Sequence, residues 1–194
     1  MTATGPGHAQ PDELASALSA AREGDDQAFR ALYQAIQPGM LRYLQVLVGA
    51  DAEDVASETW LHIVKDLHTF RGDSNGFRRW TITIARHRAL DHLRHHQRRP
   101  SVATPVETLA DLPDREVTED QAMQLVSTSE AMALIASLPP DQAEAILLRV
   151  VIGLDAESSA KVLGKRAGAV RTAAYRGLRR LSEALGQHIP GTEE

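Results

Sequence analysis

The spacing of the apolar residues constrains the fold most, because it follows a helical period along almost the whole chain. At about 100° per residue, the apolar side chains of residues 52–70 share one broad face. That face consists of Ala52, Ala56, Trp60, Ile63, Val64, Leu67 and Phe70. No stretch sustains the alternation of apolar and polar residues that marks a half-buried strand. The sequence therefore predicts an all-α protein.

Charge is segregated along this chain, whose formal net charge is −5. Residues 71–99 contain eight arginines and two aspartates, and residues 158–182 contain seven lysines and arginines and no acid. Between them, residues 101–130 contain seven acids and one arginine. Such blocks predict two basic surfaces that contact a polyanion, joined by an acidic segment. A solvated helix face is the simpler interpretation of either basic block taken alone.

The acidic segment also indicates how the chain is divided. It contains Pro105 and Pro113 and few large apolar residues, as linkers do. We therefore expect two small helical domains joined by a flexible acidic linker. The expected boundaries are a disordered N-terminus at 1–10, a first domain at 11–100, the linker at 101–117, a second domain at 118–187 and a tail at 188–194.

Capping and turn residues predict where several helices begin and end. Asp25 or Asp26 can cap a helix that Pro38, followed by Gly39, should bend or interrupt. Asp51 is a predicted N-cap, with Asp54 placed as in a capping box. Thr118 with Gln121 is a further possible capping box, and Pro139–Pro140–Asp141 should begin another helix.

A loop and an arginine-rich helix follow the first apolar face. The turn-forming residues of "RGDSNG" predict a loop over residues 71–76, after which an apolar helix runs to Pro100. Trp80 could stack on a base, but Phe77 and Ile84 share its face, so we expect it to pack in the core. Arginines collect along this helix, mainly in its C-terminal half.

The basic block near the C-terminus has helix-turn-helix spacing. Ala160 allows close helix approach, Gly164 suits the turn, and Val170 should pack the second helix on the first. The predicted inner face of the second helix consists of Val170, Ala173, Ala174, Gly177, Leu178, Leu181 and Leu185. A recognition helix contacts base edges and phosphates with its outer face. The candidates for bases are Arg171, Thr172 and Tyr175, and those for phosphates are Lys165, Arg166, Arg176 and Arg179.

Three stretches, in this order, resemble the bacterial RNA polymerase sigma factors of the sigma-70 family, extracytoplasmic-function (ECF, group 4) subfamily. "DAEDVASETWLHIVKDLHTF" resembles the helix that binds core polymerase, and "FRRWTITIARHRALDHLRHHQRR" resembles the −10 promoter helix. "LPPDQAEAILLRVVIGLDAESSAKVLGKRAGAVRTAAYRGLRRL" resembles the −35-binding domain. The chain departs from the family pattern at Ser57, Val64 and His87, where glutamine, tryptophan and asparagine are usual.

The resemblance implies that the first expected domain is sigma region 2 and the second is sigma region 4. It also implies a role for each of the three stretches. The implied contacts with core polymerase, which includes the β and β′ subunits, are Asp51, Asp54, Glu58 and Leu61. The three acids form a stripe on the polar side of this core-binding helix, and the resemblance implies that this stripe faces the clamp helices of β′. The resemblance also implies that the 72–76 loop captures one base of the −10 element during melting. The implied contacts with the −10 element are Asp73, Ser74, Asn75, Arg78, Arg79, Arg86, Arg88 and Arg94. The −35 contacts are the helix-turn-helix candidates named above, and an anti-sigma factor, often membrane-anchored, is a further implied partner.

Two other functions remain open at this point. A stand-alone helix-turn-helix regulator would bind duplex operators without polymerase, but it would not need the basic helix at 77–99. A structural helical adaptor would leave both basic surfaces unexplained.

The sequence predicts no catalytic site, cofactor or metal centre. It contains no cysteine, no phosphate-binding glycine loop and no arrangement of nucleophile and base. His92 and His96 have the spacing of a zinc-binding pair, but Asp91 lies on a different helix face, so we expect no metal there. Without a signal peptide or membrane span, a cytoplasmic protein is expected.

Overall fold

The computed structural model describes residues 11–98 and 119–187, and in both ranges it contains helices and turns with no strand. The helices are α1 (Pro11–Arg22), α2 (Asp26–Val48), α3 (Ala52–Asp66), α4 (Ser74–Arg98), α5 (Glu119–Ala136), α6 (Pro140–Ile146), α7 (Ala156–Leu163) and α8 (Ala167–Gln187). Single turns at Gly49–Asp51, Leu67–Thr69 and Leu147–Val151 connect or extend them. The predicted N-terminus, linker and tail, and the cap at Thr118, lie outside the described residues.

Helices α1–α4 pack together as the N-terminal bundle. Asp25 caps α2, and its carboxylate accepts the N–H groups of Gln27 and Ala28 at 2.8 and 3.0 Å. The predicted interruption at Pro38 is wrong, because α2 runs through that residue without a break. Leu32 and Met40, on either side of it, are both buried. Burial of both halves in one core offsets the roughly 3 kcal/mol that an interior proline costs.

The inner face of α3 differs from the expected face at Val55, Thr59 and Val64. Val55 and Thr59 are buried together with Trp60 and Ile63, whereas Val64 is 55% exposed. The buried stripe is therefore rotated towards Val55, and the Thr59 hydroxyl donates to the Val55 carbonyl at 2.7 Å, which satisfies it inside the core.

Helices α5–α8 form the C-terminal bundle, in which α7 and α8 make the predicted helix-turn-helix. Asp155 caps α7 by accepting the Ser158 N–H at 2.6 Å, and this hydrogen bond lowers the pKa of the Asp155 carboxyl. Gly164 ends α7 with a φ of 64°, a left-handed conformation that favours glycine. Val170, on α8, is 1% exposed, as its spacing predicts.

The two bundles contact each other. Helices α2 and α4 pack against α5, α7 and the π-helical turn Leu147–Val151. Ile152 follows that turn and is 8% exposed, and its side chain faces Gly39, where an added Cβ would lie 3.4 Å from its Cδ1 atom. The predicted first and second domains therefore share a continuous apolar contact in this structure.

Candidate polymerase and nucleic-acid interfaces

The outer face of α3 presents most of the predicted polymerase contacts. Asp54 and Glu58 are exposed, and Leu61, one turn after Glu58, is 72% exposed. The exposed Val64 extends the apolar part of this face by one turn. An apolar strip flanked by carboxylates is suited to a partner surface that is basic and partly apolar.

Asp51, the fourth predicted polymerase contact, is paired with a residue of another helix. It occupies the predicted N-cap position, but its side chain makes no capping hydrogen bond, so that part of the prediction is wrong. His92 of α4 donates from Nε2 to Asp51 Oδ2 at 2.9 Å instead. The Asp51 carboxylate is thus held by another helix, which sequence spacing does not reveal.

The loop before α4 is shorter than predicted. Ser74 and Asn75 lie in the first turn of α4, and the Asp73 carboxylate accepts the Gly76 N–H at 2.6 Å as its cap. Of the three side chains expected to meet a flipped base, Asp73 is therefore already hydrogen-bonded, whereas Asn75 is exposed and Ser74 half-buried. Phe70 fills the space behind the loop, since a Cβ at Gly72 would lie 2.8 Å from its Cζ atom.

Trp80 packs with other aromatic side chains, as the sequence predicts. Its ring centroid lies 5.1 Å from that of Phe70 and 5.9 Å from that of Phe77. Phe77 is fully buried and Trp80 half-buried. The cluster anchors the start of α4 and the turn that precedes it.

The arginines of α4 differ in how freely they can meet DNA. Arg78 and Arg79 are half-buried at the start of the helix. Arg88 donates to His62 Nε2 at 2.8 Å, and Arg94 pairs with Asp91 at 3.0 Å. Both pairs include an exposed partner, so a phosphate can compete with them at modest cost.

Arg86 is bound far more tightly, by a residue of the other bundle. Its Nε atom lies 2.7 Å from Glu144 Oε1, and the two side chains are only 19% and 17% exposed. The Tyr43 hydroxyl donates to the same carboxylate oxygen at 2.9 Å. Burial opposes the charge of Arg86, but the hydrogen bond and charge of Glu144 raise its pKa overall. Burial, then the charge of Glu144, raises the pKa of Tyr43, which keeps its hydroxyl a neutral donor.

The Tyr43–Glu144–Arg86 contact was missed by sequence reasoning. Glu144 lies 101 residues from Tyr43 and 58 from Arg86, and no local pattern links them. The sequence signals this contact only by placing Glu144 among apolar residues of α6. Its neighbours Ala143, Ala145 and Ile146 are all buried. A carboxylate at such a position requires a partner, although the sequence does not name it.

Helix α8 presents its predicted outer face to solvent. Arg171, Thr172 and Arg176 are exposed and Tyr175 is 68% exposed. Arg179 pairs with Glu183 on the same helix at 3.3 Å, and Lys165 in the turn pairs with Asp141 of α6 at 2.7 Å. Arg166 is also exposed.

The inner face of α8 is shorter than predicted. Leu178 is 47% and Leu185 54% exposed, whereas Leu181 between them packs against the core, so only part of the predicted stripe is covered. Gly177 is needed where α8 crosses α6, because a Cβ there would lie 2.6 Å from Ile146 Cδ1. This close crossing sets the distance between α6 and α8, and therefore the position of the basic outer face of α8.

Among the described residues, none of the helices has the length and apolar character needed to cross a membrane.

Comparison with known proteins assigns both bundles. The family model "Sigma-70 region 2" matches residues 32–99, and "Sigma-70, region 4" matches residues 129–181. The chain is 32% identical to ECF RNA polymerase sigma factor SigD of Mycobacterium tuberculosis over 183 residues, which cover 91% of this chain and 85% of SigD. It is 34% identical to ECF RNA polymerase sigma factor BldN of Streptomyces coelicolor over 167 residues, 85% of this chain and 63% of BldN.

Solved structures agree on the fold. CnrH, solved with the cytosolic domain of CnrY, superposes with a TM-score of 0.61 at 21% identity, covering 91% of this chain and 99% of CnrH. The sigma factor RpoE of Bartonella quintana, solved with the anti-sigma factor NepR, gives 0.59 at 22% identity, covering 82% and 98%.

The two family models favour a sigma factor over a stand-alone operator-binding regulator, because the basic helix α4 lies inside the region 2 match. Sigma factors are transcription initiation factors. This chain belongs to the ECF group of the sigma-70 family of RNA polymerase sigma factors.

Proposed function

We propose that this chain binds core RNA polymerase, directs it to promoters through −10 and −35 elements, and assists melting at the −10 element. The observation that carries the proposal is the exposed basic face of α8, held by a helix-turn-helix whose turn, cap and packing are all formed. In this proposal the exposed Arg171, Thr172 and Tyr175 contact base edges. Arg176, with Arg179 and the turn residues Lys165 and Arg166, contacts phosphates.

In the N-terminal bundle, α3 and α4 have separate tasks. The exposed Asp54, Glu58 and Leu61 form the surface for core polymerase. Asn75 and Ser74 offer hydrogen bonds to an extruded base, whereas Asp73 holds the first turn of α4 in place. Arg78, Arg79, Arg88 and Arg94 neutralise phosphates of the opening strand.

Arg86 fits this scheme only after a rearrangement. Glu144 occupies the Nε and Nη2 atoms of Arg86 at 2.7 and 3.4 Å, and the Arg86 side chain is only 19% exposed, so a phosphate reaches this guanidinium poorly until Glu144 moves away. The contact between the bundles therefore describes a closed state, and promoter binding requires α6 to leave α4. Core polymerase, by binding the bundles separately, supplies the free energy for that opening.

The chain acts in the cytoplasm, where polymerase and DNA are, and an anti-sigma factor is its proposed regulator. RpoE of Bartonella quintana supports this partner, because it was solved in complex with an anti-sigma factor, NepR. An anti-sigma factor that favours the closed state would keep Arg86 engaged with Glu144.

In vitro transcription tests the function directly. Core polymerase should be supplied with a genomic DNA library, with and without this protein, and the 5′ ends of the transcripts sequenced. We expect new start sites that share paired upstream elements. No new starts, together with tight duplex binding by the protein alone, would contradict a sigma factor and favour an operator-binding regulator.

Charge reversal on α3 tests the polymerase surface. Replacing Asp54 and Glu58 with lysine should weaken binding to core polymerase at least about tenfold, because like charges placed against a basic partner cost several kcal/mol. Both residues are exposed, so circular dichroism should show an unchanged fold. The matched control is Glu13→Lys with Glu23→Lys, two exposed acids outside this face. Equal affinity of both double variants for polymerase would refute the assignment of α3.

A further inference from the structure

Three metal-binding side chains converge where α4 passes the turn before α3. Asp51 comes from the turn Gly49–Asp51, and His92 and His96 come from one face of α4. Their ligand atoms all lie within 4.8 Å of one another, and the two imidazole rings are 4.3 Å apart between centroids. Asp91, which adjoins His92 in the sequence, lies on a different face of α4 and pairs with Arg94. The tertiary structure supplies a different carboxylate, from another element.

Two imidazole nitrogens and one carboxylate oxygen form a donor set suited to zinc. Zinc binds such ligands at roughly 2.0–2.2 Å, which places tetrahedral ligand atoms roughly 3.3 Å apart. The 2.9 Å contact of His92 with Asp51 is already near that separation. His96 is exposed, so its ring can rotate to close the remaining gap, and water can take the fourth position.

The surroundings also favour a cation. Glu53 and Asp54 follow Asp51 in the first turn of α3 and add negative charge nearby. His92 and His96 lie in the last two turns of α4, where the helix dipole favours positive charge. Two arginines at neighbouring turns of α4 are engaged elsewhere, Arg88 with His62 and Arg94 with Asp91.

We propose that Asp51, His92 and His96 bind a divalent transition-metal ion of the zinc class, which joins the turn before α3 to the C-terminal part of α4. Metal binding neutralises Asp51 and adds positive charge next to Asp54, which belongs to the proposed polymerase surface. It therefore lowers the affinity of the chain for core polymerase, a consequence that rests on the proposed function of α3. The metal site itself does not depend on that function.

Titration of the full chain with Zn²⁺ alone tests the site. Calorimetry should give one ion per chain, and His96→Ala and Asp51→Asn should each weaken binding by at least about tenfold. His95→Ala is the matched control, since His95 is an exposed neighbour on α4 outside the cluster, and it should bind as the wild type does. Zinc should also raise the melting temperature of the wild type and of His95→Ala, but not of Asp51→Asn.

Asp51→Asn decides between this site and simple chelation by a histidine pair. Unchanged zinc affinity in that variant would overturn the proposal, because the helix alone would then account for binding. Equal losses in His95→Ala and His96→Ala would overturn it as well, since they would indicate non-specific binding along the histidine-rich stretch. Circular dichroism without metal confirms that each variant is folded.

The effect on polymerase is measured separately. Added zinc should reduce the affinity of the wild type for core polymerase about fivefold or more and leave that of His96→Ala unchanged. If the zinc-bound wild type binds core polymerase as tightly as the zinc-free protein, the regulatory effect is overturned. The existence of the metal site is decided separately, by the zinc titrations. If the α3 charge-reversal variant binds polymerase normally, the proposed function fails, and the calorimetric result still stands.

Discussion

Alanine at both Arg171 and Arg176 should reduce transcription from promoters of this factor by on the order of 100-fold. Both side chains are exposed on the outer face of α8, where their loss leaves the helix intact. Loss of a base contact costs about 1–3 kcal/mol, and loss of a phosphate contact weakens binding to all sequences alike. Two losses of about 1.4 kcal/mol each correspond to that factor. Run-off transcription with core polymerase measures it.

The single variants separate the two proposed roles. Arg171→Ala should relax the preference at one position of the −35 element, whereas Arg176→Ala should reduce the salt dependence of DNA binding by about one unit of slope. Arg180→Ala is the matched control, because Arg180 is an exposed arginine of α8 that donates to Gln142 at 3.2 Å. Promoter use equal to the wild type in the double variant would refute the assigned face of α8.

Lysine at Glu144 should open the closed state and reduce its population at least about tenfold. The substitution replaces the partner of Arg86 with a like charge at a site where both side chains are less than one-fifth exposed. Like-charge contacts of this kind cost several kcal/mol, and 1.4 kcal/mol already changes a population tenfold. Because the chain contains no cysteine, His68→Cys and Gly186→Cys can carry a fluorophore pair. Energy transfer between the dyes then reports the separation of the bundles.

Two further variants make that result specific. Glu130→Lys changes the same charge at an exposed position of α5 and should leave energy transfer unchanged. Adding Arg86→Glu to Glu144→Lys recreates an ion pair of opposite orientation and should restore the closed state in part. If Glu144→Lys behaves as Glu130→Lys does, the contact between Arg86 and Glu144 does not hold the bundles together.

The sequence was a good guide wherever structure depends on neighbours along the chain. The cap at Asp25, the start of α6 at Pro140 and the left-handed turn at Gly164 follow from local backbone chemistry. The exposed faces of α3 and α8 follow from helical periodicity, because residues on one side of a helix share one environment. The sequence wrongly predicted buried side chains at Val64, Leu178 and Leu185. Their exposure depends on where the neighbouring helices lie, which periodicity does not specify.

The candidate sites also include parts that local sequence predicts and parts that only tertiary packing decides. The sequence by itself determined the helix-turn-helix, the arginine-rich α4 and the acidic face of α3, since each lies within one periodic segment. Only the tertiary structure decided that Arg86 meets Glu144 and Tyr43, and that Asp51 meets His92 and His96. The physical reason is that a helical pattern specifies which side of a helix a residue occupies. It does not specify which side chain of a distant segment packing will bring against that side.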